Sequence, residues 1–114
     1  MELSEKQVDA AALLVVTGRI DMATADEFRD RLLAALSRGP VVIDFSGVDY
    51  ISSAGLRGLM LAAKQSRSTG TKVAVAALQP VVLEIFQISR FDKLLPCHPS
   101  VDAALAAVRP APAG

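Results

Sequence analysis

The feature that most constrains the fold is an alternation between short apolar runs and segments with helical spacing. Three apolar runs predict strands: Ala11 to Thr17, Val41 to Phe45 and Lys72 to Leu78. The run at Val41 is almost free of polar side chains, which is typical of a strand that helices cover on both faces. Because strands that alternate with helices imply parallel crossover connections, the pattern predicts a small α/β sandwich.

Two shorter strands are expected at the margins of this sheet. Leu3 to Val8 is predicted to pair with the first apolar run through a turn near Asp9, and Leu94 to Cys97 is predicted to form a final strand. The expected fold is therefore a mixed central β-sheet of four to five strands.

About four α-helices fill the intervals, since apolar side chains recur there three or four residues apart. The first is expected to begin at Thr24, with Glu27 as its capping-box partner, and to stop at Gly39-Pro40. The second follows a turn at Ser46-Gly47 and ends at Thr69-Gly70. Pro80 opens the third helix, and Ser100 caps the fourth.

Size and charge narrow the range of functions. At 114 residues the chain is expected to form one domain over residues 1–108, with a disordered tail at 109–114. Lysine plus arginine and aspartate plus glutamate both number 12, and the basic residues are scattered, which argues against binding nucleic acid. No apolar run approaches the roughly 20 residues that span a bilayer, and no signal peptide precedes the domain, so a cytoplasmic location without membrane insertion is expected.

The segment from Asp44 to Arg57 departs from the plain α/β pattern. It leaves the carboxyl end of a central strand and enters a helix through Ser52 and Ser53, followed by the small residues Ala54 and Gly55. Ligands and reactive groups usually lie at that end of an α/β sheet. The two small residues would let the surface of another protein approach the first helical turn.

Ser53 is the residue of this segment on which charge would have the largest effect. Helix-start amides lack internal partners and the helix dipole favours negative charge, so a phosphate on Ser53 could be held without unfolding the domain. Two serines before an amphipathic helix are also a common capping arrangement, and spacing alone favours that explanation.

Two motifs at this separation resemble the STAS domain, the family of bacterial anti-sigma-factor antagonists that also occurs as a module in sulfate transporters. Gly18-Arg19-Ile20-Asp21 follows the second strand, and Ile51-Ser52-Ser53-Ala54-Gly55-Leu56 follows the third. The resemblance covers the chain to about Val108.

The resemblance implies a partner-switching cycle rather than an enzyme or a cofactor-binding protein. An unphosphorylated antagonist binds an anti-sigma factor that is also a serine kinase of the histidine-kinase-like ATPase fold. Phosphorylation by that kinase releases the antagonist, and a metal-dependent serine phosphatase resets it. The motif places the phosphoacceptor at Ser53, with Asp21 beside it on the kinase-binding surface. Apart from the resemblance, an arginine one turn into a helix, such as Arg57, is more often a solvated side chain than an anchor, although Arg57 could face the partner or the phosphate. A monomer is the simpler expectation.

One position departs from the family pattern. Many members carry aspartate directly before the acceptor serine, where this chain has Ser52. The change removes a negative charge and adds a second hydroxyl, so phosphorylation of Ser52 is an alternative. The other open alternative is a non-phosphorylated STAS subunit that docks on a transporter ATPase or another regulatory complex.

Catalysis and metal binding have little support. A serine hydrolase would need a base near the serine, and the only histidine, His98, lies near the end of the chain. Cys97 and His98 are adjacent on a predicted strand end, so their side chains point to opposite faces. One cysteine and one histidine also make a poor set of metal ligands.

Overall fold

The computed structural model describes residues 1–109; the tail predicted at 109–114 therefore lies outside the described residues except for Arg109. The elements follow the predicted alternation. In chain order they are β1 (Glu2–Val8), β2 (Ala11–Ile20), α1 (Ala25–Leu36), β3 (Val41–Ile51), α2 (Ser53–Thr69), β4 (Val73–Ala76), α3 (Pro80–Ile88), a 3₁₀ turn (Phe91–Lys93), β5 (Cys97–His98) and α4 (Val101–Val108).

The five strands form one sheet in the order β1-β2-β3-β4-β5. β1 pairs antiparallel with β2 through a turn in which Asp9 has a φ of 53°. The other three pairings are parallel. The predicted mixed sheet, and the predicted turn near Asp9, are confirmed.

Two hydrophobic layers lie on the two faces of the sheet. Helices α1, α2 and α3 cover one face, where Phe28, Phe45, Phe86 and Phe91 form a chain of rings with centroids 6.1, 6.2 and 5.9 Å apart. Helix α4 covers the other face through Ala104 and Val108. Within residues 1–109, no helix combines the length and apolar character that a bilayer crossing requires.

The predicted turn at Ser46-Gly47 is wrong, because β3 continues through both residues to Ile51. The register between β2 and β3 shifts here, as in a β-bulge. The Asp44 side chain accepts a hydrogen bond from the Ser46 amide at 2.9 Å, and a Cβ on Gly47 would lie only 2.6 Å from Thr17 Cγ2. Ser46 and Gly47 therefore do not form a turn but allow β2 and β3 to stay in close contact.

The predicted capping box at the start of α1 is also wrong. Thr24 occupies the N-cap position, but its hydroxyl makes no capping hydrogen bond to the helix. The Thr24 hydroxyl instead accepts from the Asp21 amide at 3.0 Å and donates to the Asp21 carboxylate at 3.1 Å. The loop after β2 is therefore tied together by Asp21 and Thr24 without Glu27.

Several other boundaries move by a few residues. α1 ends at Leu36, before Gly39-Pro40, and the last strand is Cys97–His98 rather than Leu94 to Cys97. β4 ends at Ala76, because Ala77 takes a φ of 59° that does not continue a strand. Pro80 at the first turn of α3 and Ser100 as the cap of α4 are confirmed.

Candidate functional site

The ends of β2 and β3 bring the two sequence motifs together. Ile20 pairs with Ile51 in the parallel register, and the Ser52 amide donates to the Ile20 carbonyl at 2.8 Å. Asp21 and Ser53 therefore leave neighbouring strands at the same edge of the sheet. This edge is the carboxyl end, as the sequence predicted.

Ser52 is the N-cap of α2. Its hydroxyl oxygen accepts from the Gly55 amide at 3.1 Å, and its carbonyl accepts from Leu56 at 2.9 Å. Ser52 is also the only polar residue in the described chain that is classed as buried, at 7 % exposure. Its hydroxyl satisfies a helix-start amide that would otherwise be unpaired inside the protein.

Ser53 is the first residue of α2 and is exposed. The first turn of the helix contains no acidic side chain. The positive end of the helix dipole is therefore not compensated by the helix itself, and the exposed Ser53 lies beside it.

Gly55 does not lie on the surface, contrary to the expectation that it keeps the helix start open for a partner. It is buried, and a Cβ built on it would lie 2.8 Å from both Ile20 Cγ2 and Ile51 Cγ1. The absence of a side chain lets α2 approach the ends of β2 and β3. Ala54 is half-buried and does face a surface groove.

Asp21 is held in a fixed position by its own loop. Its carboxylate accepts from the amides of Ala23 at 3.0 Å and Thr24 at 3.1 Å. The hydrogen bond from the Thr24 hydroxyl is the largest cause that holds the pKa of Asp21 below its usual range, and nearby Arg19 contributes in the same direction. Asp21 is therefore a negative charge at this edge of the sheet at neutral pH.

Two features beside the site were not predicted from the sequence: the contact between Arg19 and Tyr50, and the exposure of Met22. The Arg19 guanidinium lies 4.2 Å from the centre of the Tyr50 ring, within the range of a cation–π contact. Met22, in the loop after Asp21, is 83 % exposed. The Gly-Arg-Ile-Asp motif marked Arg19, but only the register of β2 on β3 brings it to Tyr50.

Arg57 is exposed and lies one turn after Ser53. Together with Ala54 it borders a groove between α1 and α2, to which α1 contributes Asp26 and Arg29. Arg29 makes ion pairs with Asp26 at 3.3 Å and Asp30 at 3.0 Å. Arg57 makes no ion pair with any residue in the range 1–109.

Cys97 and His98 do not form a reactive pair. Burial is the main cause that raises the pKa of Cys97 to about 11, so the thiolate is scarce at neutral pH. The Nε2 atom of His98 is buried without a hydrogen-bond partner. Residues 1–109 contain no cluster of histidine, cysteine, aspartate and glutamate suited to a metal ion.

The comparisons with known proteins agree with this fold. A family model described as "Mlab, STAS domain" matches residues 3–96. The chain therefore belongs to the STAS domain family.

The most informative relatives are regulators by name. The chain is 36 % identical over 113 residues to BtrV of Bordetella bronchiseptica, whose name assigns it as an anti-sigma factor antagonist, and the match covers 97 % of each chain. The crystal structure of an anti-sigma factor antagonist from Mycobacterium paratuberculosis superposes with a TM-score of 0.85 at 30 % identity, over 96 % of this chain and 94 % of that one.

The fold is also that of the Bacillus cell fate determinant SpoIIAA in its phosphorylated form. The TM-score is 0.73 over 95 % of this chain and 100 % of that one. Identity is 13 %, so this likeness establishes the fold alone.

Proposed function

We propose that this chain is an anti-sigma factor antagonist that works by partner switching, with Ser53 as the residue that is phosphorylated. In its unphosphorylated form it binds an anti-sigma factor that is also a serine kinase of the histidine-kinase-like ATPase fold. Phosphorylation of Ser53 releases that partner, and a metal-dependent serine phosphatase restores binding. The chain acts by binding rather than by catalysis, in the cytoplasm where the kinase finds ATP.

The observation that carries the proposal is the difference between the two serines. Ser53 is exposed, whereas Ser52 is 7 % exposed and its hydroxyl oxygen already accepts from the Gly55 amide at 3.1 Å. A kinase needs a hydroxyl that it can reach, and a phosphate on Ser52 would break the cap and enter a packed region. Access therefore favours Ser53 as the acceptor.

The position of Ser53 also explains how a phosphate could control binding without unfolding the protein. A phosphate adds about −1.5 to −2 charges, and a helix start with no acidic side chain in its first turn tolerates them. The same charge would lie in the middle of the proposed contact surface with Asp21, Ala54 and Arg57. Loss of about 3–4 kcal/mol of contact energy would weaken binding roughly 150- to 900-fold.

The direct test is phosphorylation by the kinase-like ATPases of the same cell, with ATP and phosphate mapping by mass spectrometry. We expect one phosphate on the wild-type protein, none on Ser53→Ala and one on Ser52→Ala. Ser100→Ala is a matched control, because Ser100 also stands at a helix start but far from the motif. Phosphate that persists in Ser53→Ala and disappears in Ser52→Ala would move the acceptor to Ser52.

A binding measurement separates this proposal from docking on a transporter ATPase. For the antagonist role, Ser53→Asp should keep the wild-type circular-dichroism spectrum and lose binding to the kinase. Absence of phosphate with every such kinase, together with stable binding to a transporter ATPase, would establish the alternative instead.

A further inference from the structure

We propose that Arg57 is the internal receptor for a phosphate on Ser53 and binds it through an ion pair within α2. The inference rests on the proposed function, since it concerns the phosphorylated form of that serine. Arg57 then stabilises the phosphorylated state. The sequence alone leaves open whether Arg57 faces the partner or the phosphate.

The spacing between the two residues suits this contact. Ser53 and Arg57 are four residues apart in α2, and both are exposed. Residues at i and i+4 are neighbours on a helix surface, and helical side chains lean toward the N-terminus. An arginine at i+4 therefore leans toward residue i, and the acid-before-base order is the favoured one for a helical ion pair.

No carboxylate within α2 competes for Arg57. The helix has the sequence SAGLRGLMLAAKQSRST, which contains no acidic residue over 17 positions. The positions three and four residues from Arg57 on either side are Ser53, Ala54, Met60 and Leu61. Ser52, at the position where aspartate is common in the family, leaves the cap without a charge that would repel a phosphate.

Charged side chains of α1 and of the loop before it lie near Ser53 and Arg57, but they already have partners. Asp26 borders the same groove but contacts Arg29 at 3.3 Å, and Arg29 also contacts Asp30 at 3.0 Å. Asp21 accepts hydrogen bonds from Thr24 and Ala23 within its own loop. Arg57 is thus the basic side chain nearest to Ser53 in the helix, and residues 1–109 offer it no ion pair.

A guanidinium suits a phosphate because its planar N–H donors can bind two oxygens at once. Binding favours the dianion over the monoanion, so the pKa of the bound phosphate should fall below the value of about 6 for free phosphoserine. This shift is a property of the phosphorylated chain alone. It can be measured without any partner protein.

The test uses protein with phosphoserine encoded at position 53 and follows the phosphate by ³¹P NMR as a function of pH. We expect the phosphate pKa to be about 0.3–1 lower in the protein that keeps Arg57 than in the Arg57→Gln variant. The phosphate pKa of the Arg57→Lys variant should lie between these two values. Arg67→Gln is the matched control, since Arg67 lies on the same helix about 21 Å from Ser53 along the axis, at 1.5 Å per residue. Salt at 0.5 M shortens the screening length about sevenfold relative to 0.01 M and should therefore reduce the difference between the variants.

An unchanged phosphate pKa in Arg57→Gln would overturn the proposal, as would a larger change in Arg29→Gln than in Arg57→Gln. Circular dichroism on each variant confirms that the comparison is between folded proteins. Because the phosphate is inserted during translation, the outcome does not depend on a kinase. If a kinase phosphorylates Ser53 but the titration is insensitive to Arg57, the proposed function stands and this inference fails.

Discussion

Helices α2 and α4 begin with the same backbone arrangement. Ser52 and Ser100 both have extended φ and ψ, and each side chain accepts from the amide three residues later at 3.1 Å. By the capping rule alone these two helix starts are equivalent. Only one of them is a candidate functional site.

The surroundings of the two caps differ in burial and in charge. Ser52 is buried and is followed by the exposed Ser53, whereas Ser100 is exposed. The first turn of α4 contains Asp102, which compensates the helix dipole, but the first turn of α2 contains no acid. A serine cap therefore shows where a helix begins, and the neighbouring side chains decide whether its end can receive an anion.

The largest difference between the two helix starts should be in the stability lost on substitution of the third helical residue. That residue is Gly55 in α2 and Ala103 in α4. Gly55→Ala should destabilise the protein by about 1–3 kcal/mol, since the new Cβ would lie 2.8 Å from two buried isoleucines. Ala103→Gly should cost about 1 kcal/mol or less, the ordinary penalty of glycine in a helix. Urea denaturation of both variants measures the two values. A cost for Gly55→Ala no greater than that for Ala103→Gly would show that the contact with Ile20 and Ile51 relaxes easily.

Removal of the two caps should have a smaller but still unequal effect. Ser52→Ala is expected to cost about 1–2 kcal/mol, because the Gly55 amide loses its partner in a buried place. Ser100→Ala should cost about 0.5–1 kcal/mol, because water can replace the hydroxyl at an exposed helix end. The midpoints of urea unfolding, with unchanged slopes, measure both costs. Equal costs would mean that burial of Ser52 adds nothing to its role as a cap.

The alternation of apolar runs and helical spacing was sufficient to predict the order of strands and helices. The start of α2 at Ser53 followed from local residues, because a serine pair before a helical pattern is a strong signal. What the sequence pattern missed was the length of β3, since Ser46 and Gly47 are typical turn residues. Their place in a bulge depends on Thr17 of the neighbouring strand, which local patterns cannot reveal.

The sequence predicted only part of the candidate site, because the rest depends on contacts between elements that local patterns cannot reveal. The motifs located Asp21 and Ser53, and pairing of β2 with β3 places both at one edge of the sheet. Arg57 follows the second motif directly and was singled out by its place one turn into the helix. The motifs did not separate the exposed Ser53 from the buried Ser52, and they did not reveal that Gly55 is buried against Ile20 and Ile51. Both distinctions depend on how α2 packs on Ile20 and Ile51, a tertiary property.

The smallest expected effect concerns charge at the two helix starts. Ser53→Asp should stabilise the protein by about 0.3–1 kcal/mol at low ionic strength, because it supplies the negative charge that the first turn of α2 lacks. Asp102→Asn should cost a similar amount by removing that charge from α4. Thermal unfolding at low and high salt measures both, with Ser53→Asn as the neutral control. Because salt screens an exposed charge, the two effects should shrink together as ionic strength rises. Destabilisation by Ser53→Asp that is absent in Ser53→Asn would mean that the edge containing Asp21 is already too negative, and the helix start would then be a poor place for a phosphate.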